Sequence, residues 1–238
     1  MTTTSTTRTE ALGGVGADGH QHAAEPRSAE RNRGATRLRR PLTQRLGSWR
    51  FWIPSAVVFM VFFSAFFASS ASFAVPVVEQ ACGQTPLDVR TFATAAEVAG
   101  FLDACGTGGR EAYRNMQLAD LFYPAVFGLF MASSLSMVLG RLVPGRPAIA
   151  ATGVWLALAG SAFDYLENVF AWRALAAFPE PAATNGLLGV ASAAKSVSFW
   201  LAGALLLAGL VGLMLRAGAR SLPRARGAGS ELDDAISH

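Results

Sequence analysis

Four apolar blocks, each long enough to cross a bilayer as a helix, constrain this chain more than any other feature of its sequence. The first runs from residue 51 to about residue 78, is rich in Phe, and meets no ionisable side chain until Glu79. The others cover residues 118–140, 148–178 and 186–215, with Arg, Pro and Gly gathered between them. A hydrocarbon core about 30 Å thick needs roughly 20 apolar residues of helix to span it. The chain is 52% hydrophobic and only 15% charged, with a mean hydropathy of +0.34. Soluble domains carry about 25% charged residues. The pattern predicts an all-α polytopic membrane protein, a four-helix transmembrane bundle with a short helical extracytoplasmic loop.

Arginine placement predicts the orientation. Residues 1–48 read as a disordered basic cytoplasmic tail, residues 49–216 as the membrane domain, and residues 217–238 as a second disordered cytoplasmic tail. Between residues 27 and 50 stand Arg27, Arg31, Arg33, Arg37, Arg39, Arg40, Arg45 and Arg50 against one acid, Glu30. Arg141 and Arg146 flank the turn between the second and third spans, and Arg216, Arg220, Arg224 and Arg226 follow the fourth. The 79–117 loop is different, because Arg90, Arg110 and Arg114 are balanced by Glu79, Asp88, Glu97, Asp103 and Glu111. Positive charge is retained inside, so both termini are expected in the cytoplasm of a bacterial plasma membrane, which an even number of spans allows. The arginine run at residues 27–50 is also suited to anionic lipid head groups. A pI near 9.7 invites a nucleic-acid reading. It is set aside, because the arginines mark span ends and no common nucleic-acid module is present. Ser72-Phe73-Ala74 has the small-x-small form of a signal-peptide cleavage site. The apolar run before it far exceeds an h-region of about 7–15 residues, so an uncleaved anchor is expected.

The 79–117 loop holds both cysteines, Cys82 and Cys105. Two cysteines in one extracytoplasmic segment most simply form a disulfide. A zinc site is not expected, since His20, His22 and His238 all lie in the tails. Thr94-Ala-Ala-Glu97 fits a capping box opening a helix that runs to about Cys105, with Gly106 as its stop. Gly106-Thr-Gly-Gly109 lacks the Lys-Ser/Thr of a phosphate-binding loop and reads as a turn. A further helix is expected from about Arg110, continuing unbroken into the second span.

Ionisable side chains inside a span cost about 2.5–3.5 kcal/mol each at mid-helix on insertion scales. Asp120, Asp164, Glu167 and Lys195 therefore each require a reason. Asp164, Glu167 and Asn168 share one helix face by their i, i+3, i+4 spacing. Ser192, Lys195 and Ser196 share another, and Asp120 and Tyr123 a third. At 1.5 Å per residue, Asp164 and Lys195 both fall about 13 Å from the outer end of their spans, which predicts a direct pair. Three carboxylates facing one amine do not balance, so either a carboxyl carries a proton or water enters from outside. Three readings stay open: a site for a small polar or lipid ligand, polar glue between helices, and an enzyme using Asp164, Glu167 and Lys195 as acid–base groups, with Ser192 or Ser196 beside Lys195 as a conceivable nucleophile. No intramembrane His or Cys, metal-ligand set or cofactor motif accompanies them, so a non-enzymatic role is favoured, with no cofactor. A further reading makes the chain a structural subunit of a larger membrane complex, and transport by such a unit would require a homo-oligomer.

Gly109-Arg-Glu-Ala-Tyr113, Asp120-Leu-Phe-Tyr-Pro124 and Asp164-Tyr-Leu-Glu-Asn168 together resemble a group of bacterial four-span membrane proteins without an assigned function. The resemblance covers roughly residues 50–215. It implies the four-span architecture and draws attention to the same acidic positions, but implies no activity.

Overall fold

The computed structural model of the chain describes residues 42–221. The proposed tails up to residue 41 and beyond residue 221, most of the arginine run at residues 27–50 and the three histidines lie outside the described residues. Within them the chain is helical, with no strand. A short α1 (Leu42–Leu46) leads into α2 (Trp49–Phe67); α3 (Val75–Cys82) and a 3-10 turn (Leu87–Val89) follow, then α4 (Ala95–Ala104) and α5 (Gly106–Ala119). Three long helices complete the fold: α6 (Tyr123–Leu142), α7 (Pro147–Ala177) and α8 (Asn185–Ser221). Four of these, α2, α6, α7 and α8, are long and apolar enough to cross a membrane. Large apolar side chains such as Trp155, Trp200, Leu207 and Met214 stand exposed on their outer faces. These features suggest a multi-pass membrane protein.

The helix ends depart from the sequence reading at five places: α8 continues to Ser221, past the expected end at residue 215 and into the expected tail, and four others have a local cause. The first span stops at Phe67 rather than near residue 78. There Ser69 turns its hydroxyl back to the Ala65 carbonyl and accepts from the Ala71 amide, the competition by which serine ends helices. The unbroken helix expected from Arg110 through residue 140 is instead interrupted between Ala119 and Tyr123. Pro124 has no N–H to offer the Asp120 carbonyl four residues earlier. Gly106-Thr-Gly-Gly109, read as a turn, forms the first turn of α5, although Gly106 itself keeps a positive φ of 58°. Residues 42–46, assigned to a disordered tail, form α1 and bury Leu46.

The four long helices associate through close contacts and hydroxyl bonds. Helix α2 leans on α6, where Phe59 stacks on Phe130 at 4.6 Å, Trp52 Nε1 donates to Ser134 Oγ at 2.9 Å, and Ser55 and Ser133 share a bond of 3.1 Å. Gly128 lets α6 approach α7, because a Cβ there would overlap Ser161. Small residues and hydroxyl pairs are what hold helices together where water is absent and hydrophobic association is weak.

The opposite kind of core closes one end. Val78, Leu87, Val98, Phe101 and Tyr113 are fully buried between α3, α4, α5 and the ends of α7 and α8. The expected loop is thus a folded cap with a hydrophobic core. A disulfide between Cys82 and Cys105 ties α3 to the α4–α5 junction. The capping box is present: the Thr94 hydroxyl accepts from the Glu97 amide while the Glu97 carboxylate accepts from the Thr94 amide at 2.7 Å. The two ends of the bundle are called the cap end and the arginine end below.

Candidate functional site

Lys195, on α8 toward the cap end, is the centre of a buried polar cluster. Its Nζ lies 3.3 Å from Asp164 Oδ1, touches Glu167 Oε2, and donates to the backbone carbonyl of Asp88 at 2.8 Å. Ser192, three residues earlier on the same face, donates to Glu167 Oε1 and shares its proton with the Leu188 carbonyl. The expected pair with Asp164 is therefore a fork, with Glu167 as the second arm and the cap as a third partner.

The helix break is built into the same place. The Asp120 carbonyl, without a donor from Pro124, accepts from Asn168 Nδ2 at 3.2 Å. The Pro124 carbonyl accepts from the Ser161 hydroxyl at 2.8 Å, and the Leu121 carbonyl from the Tyr165 hydroxyl at 3.1 Å. Ser161, Tyr165 and Asn168 lie at i, i+4 and i+7 on α7, one face by helix geometry. A single stripe of α7 thus satisfies the backbone that the break exposes, which is the condition for interrupting a helix at membrane depth. Asp164 lies in that stripe and faces Lys195.

Three contributors were not among the expected site residues. Asp88, in the 3-10 turn, dips from the cap and accepts from Gln117 Nε2 at 2.7 Å. Gln117 is fully buried on α5. Tyr113, also fully buried, has its phenol pushed well above the usual tyrosine pKa, first by burial and then by the Asp88 carboxylate. It stays a neutral hydroxyl. The only sequence hint is that Asp88 sits between apolar Leu87 and Val89, a weak one in any loop.

A cavity of about 50 Å³ opens beside the cluster, lined by Asp88, Asp120, Tyr123, Asp164, Lys195 and apolar neighbours that include Phe66. A water needs roughly 10–15 Å³ of such space, so the cavity admits a few waters or one small ion. Four buried oxygens here, Asp88 Oδ2, Asp120 Oδ2, Gln117 Oε1 and Asn168 Oδ1, have no hydrogen-bond partner among the described residues. All four are acceptors; the Tyr113 hydroxyl, buried near Asp88, is unpartnered as well, and four carboxylates surround one amine. The site is chemically prepared for something that donates protons or carries positive charge. Among the described residues no group of three or more His, Cys, Asp or Glu is arranged to hold a metal ion.

Of the residues expected to form the site, Asp120, Tyr123, Asp164 and Lys195 line the cavity. Glu167, Asn168 and Ser192 stand behind them as buried supports. Tyr123 packs its ring on Phe66 at 5.1 Å. Ser196 is half-buried and makes no polar contact with the cluster. No protein-family model, curated protein or solved structure matches the chain, so its function rests on this geometry.

Proposed function

We propose that the chain is an integral protein of the bacterial plasma membrane, with both termini cytoplasmic, that binds or senses a small polar ligand at the Lys195 cluster. The observation that carries this reading is the Asp120 carboxylate, buried beside the cavity with one oxygen unpartnered. A purely structural cluster has no use for that oxygen, since a buried acceptor without a donor costs about 1–3 kcal/mol. Size supports a small ligand over a lipid. Sites for drug-sized molecules occupy about 300–1,000 Å³, well above the 50 Å³ found here. The orientation is supported by the arginines gathered at one end and the balanced charge of the cap.

The enzymatic alternative draws less from the geometry. Glu167 and Ser192 are completely buried and do not line the cavity, so a substrate reaching Lys195 would meet neither.

The test is thermal unfolding in nanodiscs, titrated with sodium, potassium, ammonium and glycerol. At least one of these is expected to raise the melting temperature of the wild type and not that of Asp120→Leu. If none moves the wild type, or the rise survives in Asp120→Leu, the cluster is structural and the reading fails.

A further inference from the structure

The arginine end holds a second cavity, distinct from the cluster. Arg45, Arg50, Arg141, Arg146, Arg216 and Arg220 project there, and none has an acidic partner among the described residues. Every described acid lies at the cap end or in the cluster, from Glu79 to Glu180. Positive-inside topology accounts for the charge, but not for the cavity beside it. That cavity has a volume of about 400 Å³, and its walls include Thr43, Gln44, Ser136, Arg141, Arg146 and Pro147. This lies within the range of small-molecule sites.

The walls are constructed. Ser136 donates to the Thr43 carbonyl, and Leu46 is buried against α6 and α7. Gly47 packs so closely on α6 that a Cβ would stand 3.1 Å from the Ser136 carbonyl oxygen. Helix α1 is therefore pinned as one side of the cavity. Arg141 is held in place by the Met137 carbonyl at 2.8 Å and by the Trp49 ring at 5.4 Å. Arg146 is exposed and makes no side-chain hydrogen bond or ion pair with the described residues. It caps α7, a helix of 31 residues whose positive end faces the same space. Two guanidiniums, two hydroxyls, an amide and a helix N-terminus border one cavity whose lining holds no carboxylate, whereas carboxylates crowd the Lys195 cluster.

We propose that this cavity binds a phosphate group. Arginine suits phosphate because its fork makes paired, charge-assisted bonds, and the helix terminus adds to the same field. In a membrane-spanning bundle the cavity lies at head-group depth, where an anionic phospholipid offers a phosphodiester. A soluble phosphate ester offers the same chemistry.

Native mass spectrometry distinguishes the two sources. One arm uses protein from nanodiscs containing phosphatidylglycerol or phosphatidylcholine; the other uses delipidated protein with glycerol 3-phosphate. Wild type is expected to retain one phosphatidylglycerol at collision energies that strip phosphatidylcholine, or to bind glycerol 3-phosphate in detergent, and either result supports the site while naming its source. R141Q/R146Q is expected to weaken retention by about tenfold or more, since each lost charge-assisted contact is worth at least the 1.4 kcal/mol that a factor of ten requires. R146Q alone, which disturbs no internal bond, should weaken it several-fold and serves if the double variant fails to fold. The control is R50Q/R220Q, which removes equal charge from the same end but outside the cavity. No phosphate retained in either arm, or an equal loss in the control, would show diffuse attraction and overturn the proposal.

Discussion

At the scale of single residues, Lys195 determines what its neighbours can be. It pairs with Asp164 and Glu167 together, and breaking a buried pair costs about 3–5 kcal/mol through the charge left behind. Lys195→Met should lose an amount of this order in chemical unfolding in detergent. Asp164→Leu should lose less, because Lys195 keeps Glu167 and the Asp88 carbonyl. The double variant should recover only part of the loss, since Glu167 remains stranded, and adding Glu167→Gln should recover most of the rest. Losses that simply add would show that Lys195 and Asp164 do not interact. Asp164, Glu167 and Lys195 were legible in the sequence because a charge inside an apolar run stands out. Asp88, Gln117 and Tyr113 were not, because a polar residue in a polar segment carries no sign of burial; only the folding of the cap takes them out of water.

At the scale of elements, the capping box of α4 was readable from four residues, because its bonds are local. Glu97 is fully exposed, yet its pKa is lowered, chiefly by the Thr94 amide, then by the Thr94 hydroxyl, with Arg90 adding a smaller effect. A lowered carboxylate pKa means the cap contributes fully above the ordinary glutamate range and is lost as the pH falls through the lowered value. The Thr94 amide shift, followed by NMR, should titrate with a midpoint below that of an unperturbed glutamate and be flat in Glu97→Gln. A midpoint at or above the ordinary value would mean the box does not form in solution. The break before Tyr123 was only half legible. Pro124 announced a freed carbonyl, but the donors that satisfy it come from α7, some forty residues later, and sequence separation hides such partners. The early end of α2 was missed because Ser69 and Ser70 sit in a run apolar enough to pass as helix.

At the scale of the whole molecule, the disulfide joins two regions that could otherwise move apart. Cys82 and Cys105 close the segment that carries Asp88, and Asp88 reaches Lys195 across a sequence separation of 107. Closing a loop of this length stabilises a fold by about 3–4 kcal/mol in chain-entropy models. Cys82→Ser/Cys105→Ser should lower stability by up to that amount. It should also raise amide hydrogen exchange at residues 87–89 more than in the middle of α6 and α7. Equal protection in both proteins would show that the cap's apolar core alone holds Asp88 against the bundle. That core was invisible in the sequence, where its residues are scattered among charged ones.

The fork at Lys195 also has a consequence for how the protein is made. Synthesis delivers α7, with Asp164 and Glu167, before α8 and its lysine exist. In a bilayer, two unaccompanied acids would each carry an insertion penalty of a few kcal/mol, and the cation that relieves it is 28 residues behind Glu167 in the chain. Residues 178–184 form the short link between the two helices. The last two helices are therefore expected to insert as a pair, and a ribosome stalled before Lys195 is expected to leave α7 short of its final depth.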